Sequence, residues 1–225
     1  MKIFNIQVFG FEAAIRGMRN PRDSQDKSDS TFKAHLFGAG AAPDAGYLGE
    51  AEALGNPRIG PSDMKLMQTL IKRGGSHRKF LRMIQVWCDL ELPRYVWVDL
   101  DTYKIGTVKN CQSSTYVLGN CELSRDNFEG GEISGCQLSR LRELQAEYRK
   151  HKSAETMINL KRNLPESFLQ TATYGFNYEV ALAIYRDRKN HLLPEFSGPG
   201  GLCEIIERLP YMRQFLSAAK AGSDV

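Results

Sequence analysis

The chain reads as α/β (α+β), a single domain over residues 1–225 with a mainly antiparallel central sheet wrapped by helices. Three observations predict this. Strand-like and helix-like patterns alternate along the sequence. Arg82 to Leu92 alternates strictly, with Ile84, Val86, Cys88, Leu90 and Leu92 on one side and Gln85, Asp89 and Glu91 on the other. A strand so patterned needs one buried face. With 225 residues, 42% hydrophobic and 25% charged, the chain has the composition and length to bury one sizeable core.

Lys2 to Phe11 reads as a strand and Glu12 to Met18 as a short helix. From about 19 to 62 the chain turns polar and rich in Gly, Pro, Asp and Ser, too long for an ordinary connection. It is either a mobile insertion or a lid or inter-subunit arm. Met64 to Arg73 is an amphipathic helix carrying Leu66, Leu70 and Ile71 on one face, stopped by Gly74-Gly75. After the Arg82–Leu92 strand, Pro93 opens a helix from Arg94 to about Tyr103 that holds Tyr95, Trp97 and Tyr103. Lys104 to Tyr116 follows as a polar loop suited to lining a ligand. Asn120 to Gly135 is a second loop, and Cys136 to His151 a charged amphipathic helix. Glu166 to Asn190 is predicted as one long helix or two consecutive ones, with Phe168, Ala172, Phe176, Val180 and Ile184 as a core stripe. Pro194 ends it, and Cys203 to Ala219 is helical with a break at Pro210.

Composition narrows the function. A net charge of +4 suits anionic small molecules and is far from a dedicated nucleic-acid binder. Five cysteines without a Cys-x-x-Cys spacing argue against a disulfide framework and a zinc site, and for reduced thiols in a cytoplasm. No apolar run is long enough for a membrane span, and Met1-Lys2-Ile3-Phe4 begins a strand rather than a signal peptide. With four histidines scattered along the chain, no metal constellation forms.

Asn177 and Arg188 lie eleven residues apart, close to three helical turns, and share a face if the helix is unbroken. They either hold a ligand together, or Arg188, with Arg186 and Lys189, complements the negative helix end. Ser113 has no base nearby in sequence, so Ser113, Ser114 and Thr115 read as hydrogen-bond donors rather than nucleophiles. Gly198-Pro199-Gly200-Gly201 lacks the Lys-Ser/Thr of a phosphate loop and reads as a turn.

Helix, strand, Pro-initiated helix and a polar loop closing on Ser113-x-x-Tyr116 resembles the flavin-dependent thymidylate synthases. A second block agrees: Leu164-Pro165, then Asn177, Arg188, His191 and Glu195. The two blocks cover roughly half the chain. The resemblance is to a divergent member. The family's Arg-His-Arg falls on about Thr102-Tyr103-Lys104, and its Ser-x-Arg-Tyr carries Thr115 in place of the Arg. Cys111 stands for the acidic residue after Asn110, and Thr171 for an arginine that grips the nucleotide phosphate.

The resemblance implies FAD as cofactor, with NADPH and methylenetetrahydrofolate as co-substrates in one-carbon transfer to a pyrimidine deoxynucleotide such as dUMP. It implies His77, Lys104, Asn110, Asn177 and Glu195 near the flavin, and Ser113, Ser114, Thr115, Tyr116 and Arg188 near the substrate. It also implies a homotetramer with sites built between subunits. The spacing at His77 differs from the family's by about a residue, and from the sequence His77 reads first as a residue of a polar surface turn. Lys104, Arg78, Arg82 or an arginine of Arg16–Arg22 is left to replace the missing cations. Because several phosphate-gripping arginines are absent, the sequence points either to an enzyme of altered substrate or to a non-catalytic nucleotide-binding or interaction protein on the same scaffold.

Overall fold

The computed structural model describes residues 1–32 and 57–223. Its elements in order are β1 (Lys2–Phe9), α1 (Phe11–Arg19), α2 (Pro61–Lys72), β2 (Gln85–Pro93), α3 (Arg94–Leu100), β3 (Thr107–Cys111), α4 (Ser114–Asn120), α5 (Gly135–His151), α6 (Ala154–Arg162), β4 (Leu169–Asn177), α7 (Tyr178–Arg188), α8 (Pro194–Ser197), α9 (Leu202–Arg208) and α10 (Met212–Ser223). The strands form one antiparallel sheet in the order β1-β2-β4-β3, so the expected α+β class holds.

Hydrogen bonds fix the register. The Tyr178 amide donates to the Ile84 carbonyl at 3.0 Å, and the Arg94 amide to the Phe168 carbonyl at 3.2 Å. One strand therefore ascends as the other descends. Ile84 just before β2, and Val86, Cys88, Leu90 and Leu92 along it, are all buried, as their alternation requires. Arg82 and Met83 lie before the strand, in a short 3-10 turn (Lys79–Met83). In β1, Ile3 and Val8 are both buried although an odd interval separates them. Asn5 between them, at φ 53, departs from extended backbone, so simple alternation does not run through β1.

Two expectations fail. The predicted helix of Glu166–Asn190 is a strand, β4, followed by α7. A spacing of four is even, so it fits one face of a strand as well as one face of a helix. Ala172, Tyr174 and Phe176 are buried and Thr173 between them is exposed, which is period two. Thr171, Thr173 and Tyr174 favour a pleated surface. The predicted loop of 104–116 likewise contains β3 and the start of α4. Of the long polar segment, residues 33–56 lie outside the described residues. Its two ends are paired, Thr31 and Arg58 exchanging amide–carbonyl bonds of 2.9 Å each way.

Cα packing divides the chain into two compact units. One comprises Met1–Ile3, Asp89–Thr102 and Lys109–Tyr174. In it α5 packs on α6 over a core that includes Leu118, Leu141, Leu144 and Leu160, and Phe128 meets Phe168 edge-to-face at 5.8 Å. The other comprises Phe4–Cys88, Tyr103–Val108 and the chain from Gly175 onward. There α2 packs on α10, and an aromatic chain runs Phe11–Tyr178–Phe215–Phe80. Tyr178 is fully buried; its hydroxyl donates to the Pro210 carbonyl at 2.9 Å, and burial pushes its pKa well up.

Candidate functional site

The residues from the first sequence block start with the edge strand. Asn110 is exposed on β3, and Gln112 just beyond it pairs its amide with the Thr171 carbonyl at 2.9 Å. Thr171, on β4, also donates its amide to Gln112 Oε1 at 3.3 Å. Ser113 is the N-cap of α4, its hydroxyl accepting the Tyr116 amide at 3.4 Å, as Ser does at helix starts. Ser114, Thr115 and Tyr116 form the first turn, with Tyr116 73% exposed. Ser113 is thus tied to the helix, while Thr115 and Tyr116 face outward. Lys109 is committed elsewhere: it bonds both Asp101 oxygens at 2.6 and 2.7 Å and lies 4.9 Å from the Trp97 ring centroid. Burial raises the pKa of the Cys111 thiol above its ordinary value.

Three residues of the second block, Arg188, His191 and Glu195, lie at or just beyond the C-terminal end of α7. Arg188 Nη1 lies 2.7 Å from His191 Nε2, and the guanidinium sits 5.2 Å from the Phe196 ring, which His191 also meets edge-on. An arginine nitrogen can only donate, so this contact makes His191 Nε2 the acceptor. Glu195 is buried in the short helix α8 beside Phe196. Tyr103 reaches the same place: its hydroxyl donates to Asp187 Oδ2 at 3.3 Å and lies in hydrogen-bonding range of Arg188. Burial is the largest influence on that phenol and raises its pKa, against the opposing pull of Arg188. The structure therefore joins Tyr103, and with it the neighbouring exposed Lys104, to Arg188 across more than eighty residues of sequence.

Asn177 is not on the interior of a helix with Arg188. It is the N-cap of α7, its Oδ1 accepting the Val180 amide at 3.0 Å. Eleven residues at about 1.5 Å rise put the two side chains at opposite ends of the helix. The Asn177 Nδ2 faces Gly106, where an added Cβ would lie 2.5 Å away. His77 is exposed in the turn after Gly74, its amide donating to the Gly74 carbonyl at 3.0 Å.

Half of the candidate replacement cations are engaged. Arg78 forks onto Glu179 Oε1 at 3.0 and 2.8 Å, Arg16 pairs with Glu12 at 2.5 Å, and Arg19 is buried against Asp63 at 2.6 Å. Lys104 and Arg82 are exposed. Sequence reading missed Asp187, Phe196 and the contact role of Tyr103, which stood out only as an aromatic and, by resemblance, as part of the family's Arg-His-Arg. It also missed a cleft of about 330 Å³ lined by Tyr185, Lys189, Cys203, Glu204 and Glu207 among others. There the Glu207 carboxylate accepts the Tyr185 hydroxyl and raises its pKa to about 12, and burial raises Cys203 to about 11. Among the described residues no His/Cys/Asp/Glu group could hold a metal ion, and no helix is long and apolar enough to cross a membrane.

The fold that carries these residues is that of the flavin-dependent thymidylate synthases. A crystal structure of the flavin-dependent thymidylate synthase ThyX of Helicobacter pylori, complexed with FAD and dUMP, matches with a TM-score of 0.63 and 17% identity, covering 96% of this chain and 97% of the other. A second structure of Helicobacter pylori ThyX with FAD and dUMP matches equally well, covering 98% of this chain and 100% of its own. No protein-family model and no curated protein sequence matches the chain.

Proposed function

We propose that this chain is a thymidylate synthase-like flavoprotein of altered substrate. It would use FAD and a reduced nicotinamide to transfer a one-carbon unit from a folate to a pyrimidine deoxynucleotide, as a homotetramer. The observation that carries this reading is the gathering of Tyr103, Arg188, His191 and Phe196 at one end of α7, in a fold whose matched structures hold FAD and dUMP. The donor set fits an anionic ligand. Arg188 offers a guanidinium held by His191 and backed by an aromatic ring, and Lys104 adds an exposed second cation next to Tyr103. The hydroxyls of Ser114, Thr115 and Tyr116 are neutral donors, apt for a nucleobase or ribose rather than a phosphate. A bound flavin would supply hydride chemistry that no side chain here can perform; the chain's part is to bind, orient and exclude water.

A second reading is favoured by one observation. Arg16, Arg19 and Arg78 are all ion-paired within the chain, so they do not make up for the arginines absent at Thr115 and Thr171. On that reading the scaffold binds a nucleotide without turnover. Following NADPH oxidation under a panel of pyrimidine deoxynucleotides with methylenetetrahydrofolate separates the two. The enzyme reading expects nucleotide-dependent oxidation with at least one of them; binding without oxidation would favour the second.

A further inference from the structure

The Arg188 guanidinium is flanked by two residues of its own stretch, His191 and Phe196, and by one from far away in sequence, Tyr103. The position of Tyr103 is set independently of Arg188. Its carbonyl accepts the Thr107 hydroxyl at 2.6 Å, closing a turn whose Gly106, at φ +83, lies against Asn177. The Tyr103 phenol then takes one oxygen of Asp187 while Arg186 takes the other, at 2.8 Å. Both Asp187 oxygens thus have a donor other than the guanidinium next in sequence. A carboxylate left short of donors beside an arginine would turn to it and mask its charge.

We infer that Tyr103 is a positioning residue for Arg188, holding Asp187 aside and the guanidinium in place so that the phosphate of a nucleotide monophosphate meets a fixed fork. This rests on the proposed nucleotide site. Conformational freedom removed before binding is not lost on binding, so the expected signature is affinity rather than stability.

The test is a double-variant cycle on the full chain, with dUMP titrated into wild type, Tyr103→Phe, Arg188→Ala and the double variant. Thermal melting of each serves as the fold control. Tyr103→Phe should weaken dUMP about tenfold, as expected for a charged hydrogen bond made through another residue. The double variant should bind no worse than Arg188→Ala alone, because Tyr103 acts through Arg188. Wild-type affinity in Tyr103→Phe, or losses that multiply in the double variant, would overturn the inference. A ligand-free arm separates it from the proposed function. The Arg188 Nε–H signal in nitrogen-15 NMR should be slowly exchanging in the wild type and exchange-broadened in Tyr103→Phe. An unchanged signal refutes the positioning role whether or not dUMP binds, whereas a changed signal without dUMP binding refutes only the nucleotide reading.

Discussion

Asp63 has no exposed surface, and five donors converge on it: Arg19 Nε at 2.6 Å, the hydroxyls of Ser28 and Ser30 at 2.7 and 2.6 Å, and the amides of Asp29 and Ser30. Burial alone would raise its pKa; the hydrogen bonds from Ser30, Ser28 and Arg19, with the charge of Arg19, outweigh it, and the net shift is downward from 3.8. A depressed folded-state pKa stabilises above the unfolded value and loses that contribution as pH falls through the folded one. The Asp63 contribution should therefore be complete above about pH 4 and vanish on further acidification. Asp63→Ala strands a buried guanidinium and should cost about 3–5 kcal/mol in urea unfolding; a loss under 1 kcal/mol, of the order of an exposed pair, would show that water reaches the site. Arg188→Ala should weaken dUMP binding by about 1.5–3 kcal/mol. Unchanged affinity would return Arg188 to a helix-dipole role. Arg188 stood out through the family resemblance, since its spacing from Asn177 alone reads as well as a helix-dipole partner; its neighbours were not visible. Asp187 reads as one more charge at a helix end, and nothing in the sequence says that Tyr103 reaches it.

At the scale of elements, the turn between α3 and β3 depends on Gly106. Its positive φ is one that side chains rarely adopt, and a methyl there would press on Asn177 Nδ2. Gly106→Ala should destabilise by about 1–3 kcal/mol and also disturb the Asn177 cap on α7; calorimetric melting at wild-type temperature would contradict that packing. Strand β2 was legible from Gln85 onward because strict alternation has one interpretation, while its expected start at Arg82 fell in a 3-10 turn. Strand β4 was not, because Phe168, Ala172 and Phe176 at intervals of four satisfy both periods. The deciding feature is a partner: Thr173 Oγ1 donates to Asp89 Oδ1 across the sheet at 2.6 Å, and Gly175 makes room for the Trp87 ring, where a Cβ would come within 3.0 Å. Such complementarity is invisible in one segment read alone. The failure at β4 also moved Asn177 from a helix face to a helix start, and with it the expected pairing with Arg188.

For the whole molecule, order of elements proved more informative than motif chemistry. A chain whose resemblance puts about Thr102-Tyr103-Lys104 at the Arg-His-Arg positions still has the fold of the flavin-dependent thymidylate synthases, at 17% identity over nearly its full length. Core packing tolerates extensive replacement when volume and pattern persist, whereas phosphate recognition needs particular charges in particular places. By resemblance, Thr115 and Thr171 replace two nucleotide-binding arginines. If each charged bond contributes about 1.5–3 kcal/mol, losing both lowers dUMP affinity roughly 10²- to 10⁴-fold. The chain should therefore fail to restore growth to a thymidine-requiring bacterium; robust rescue would mean that other cations have taken over and that the substrate is unaltered. Flavin binding underlies every other part of the proposed function. The direct measurement is the visible absorption spectrum of the purified full chain after incubation with FAD and removal of the unbound cofactor. The proposed function predicts a yellow protein with FAD bound to each subunit, and a colourless protein that retains no FAD would contradict it.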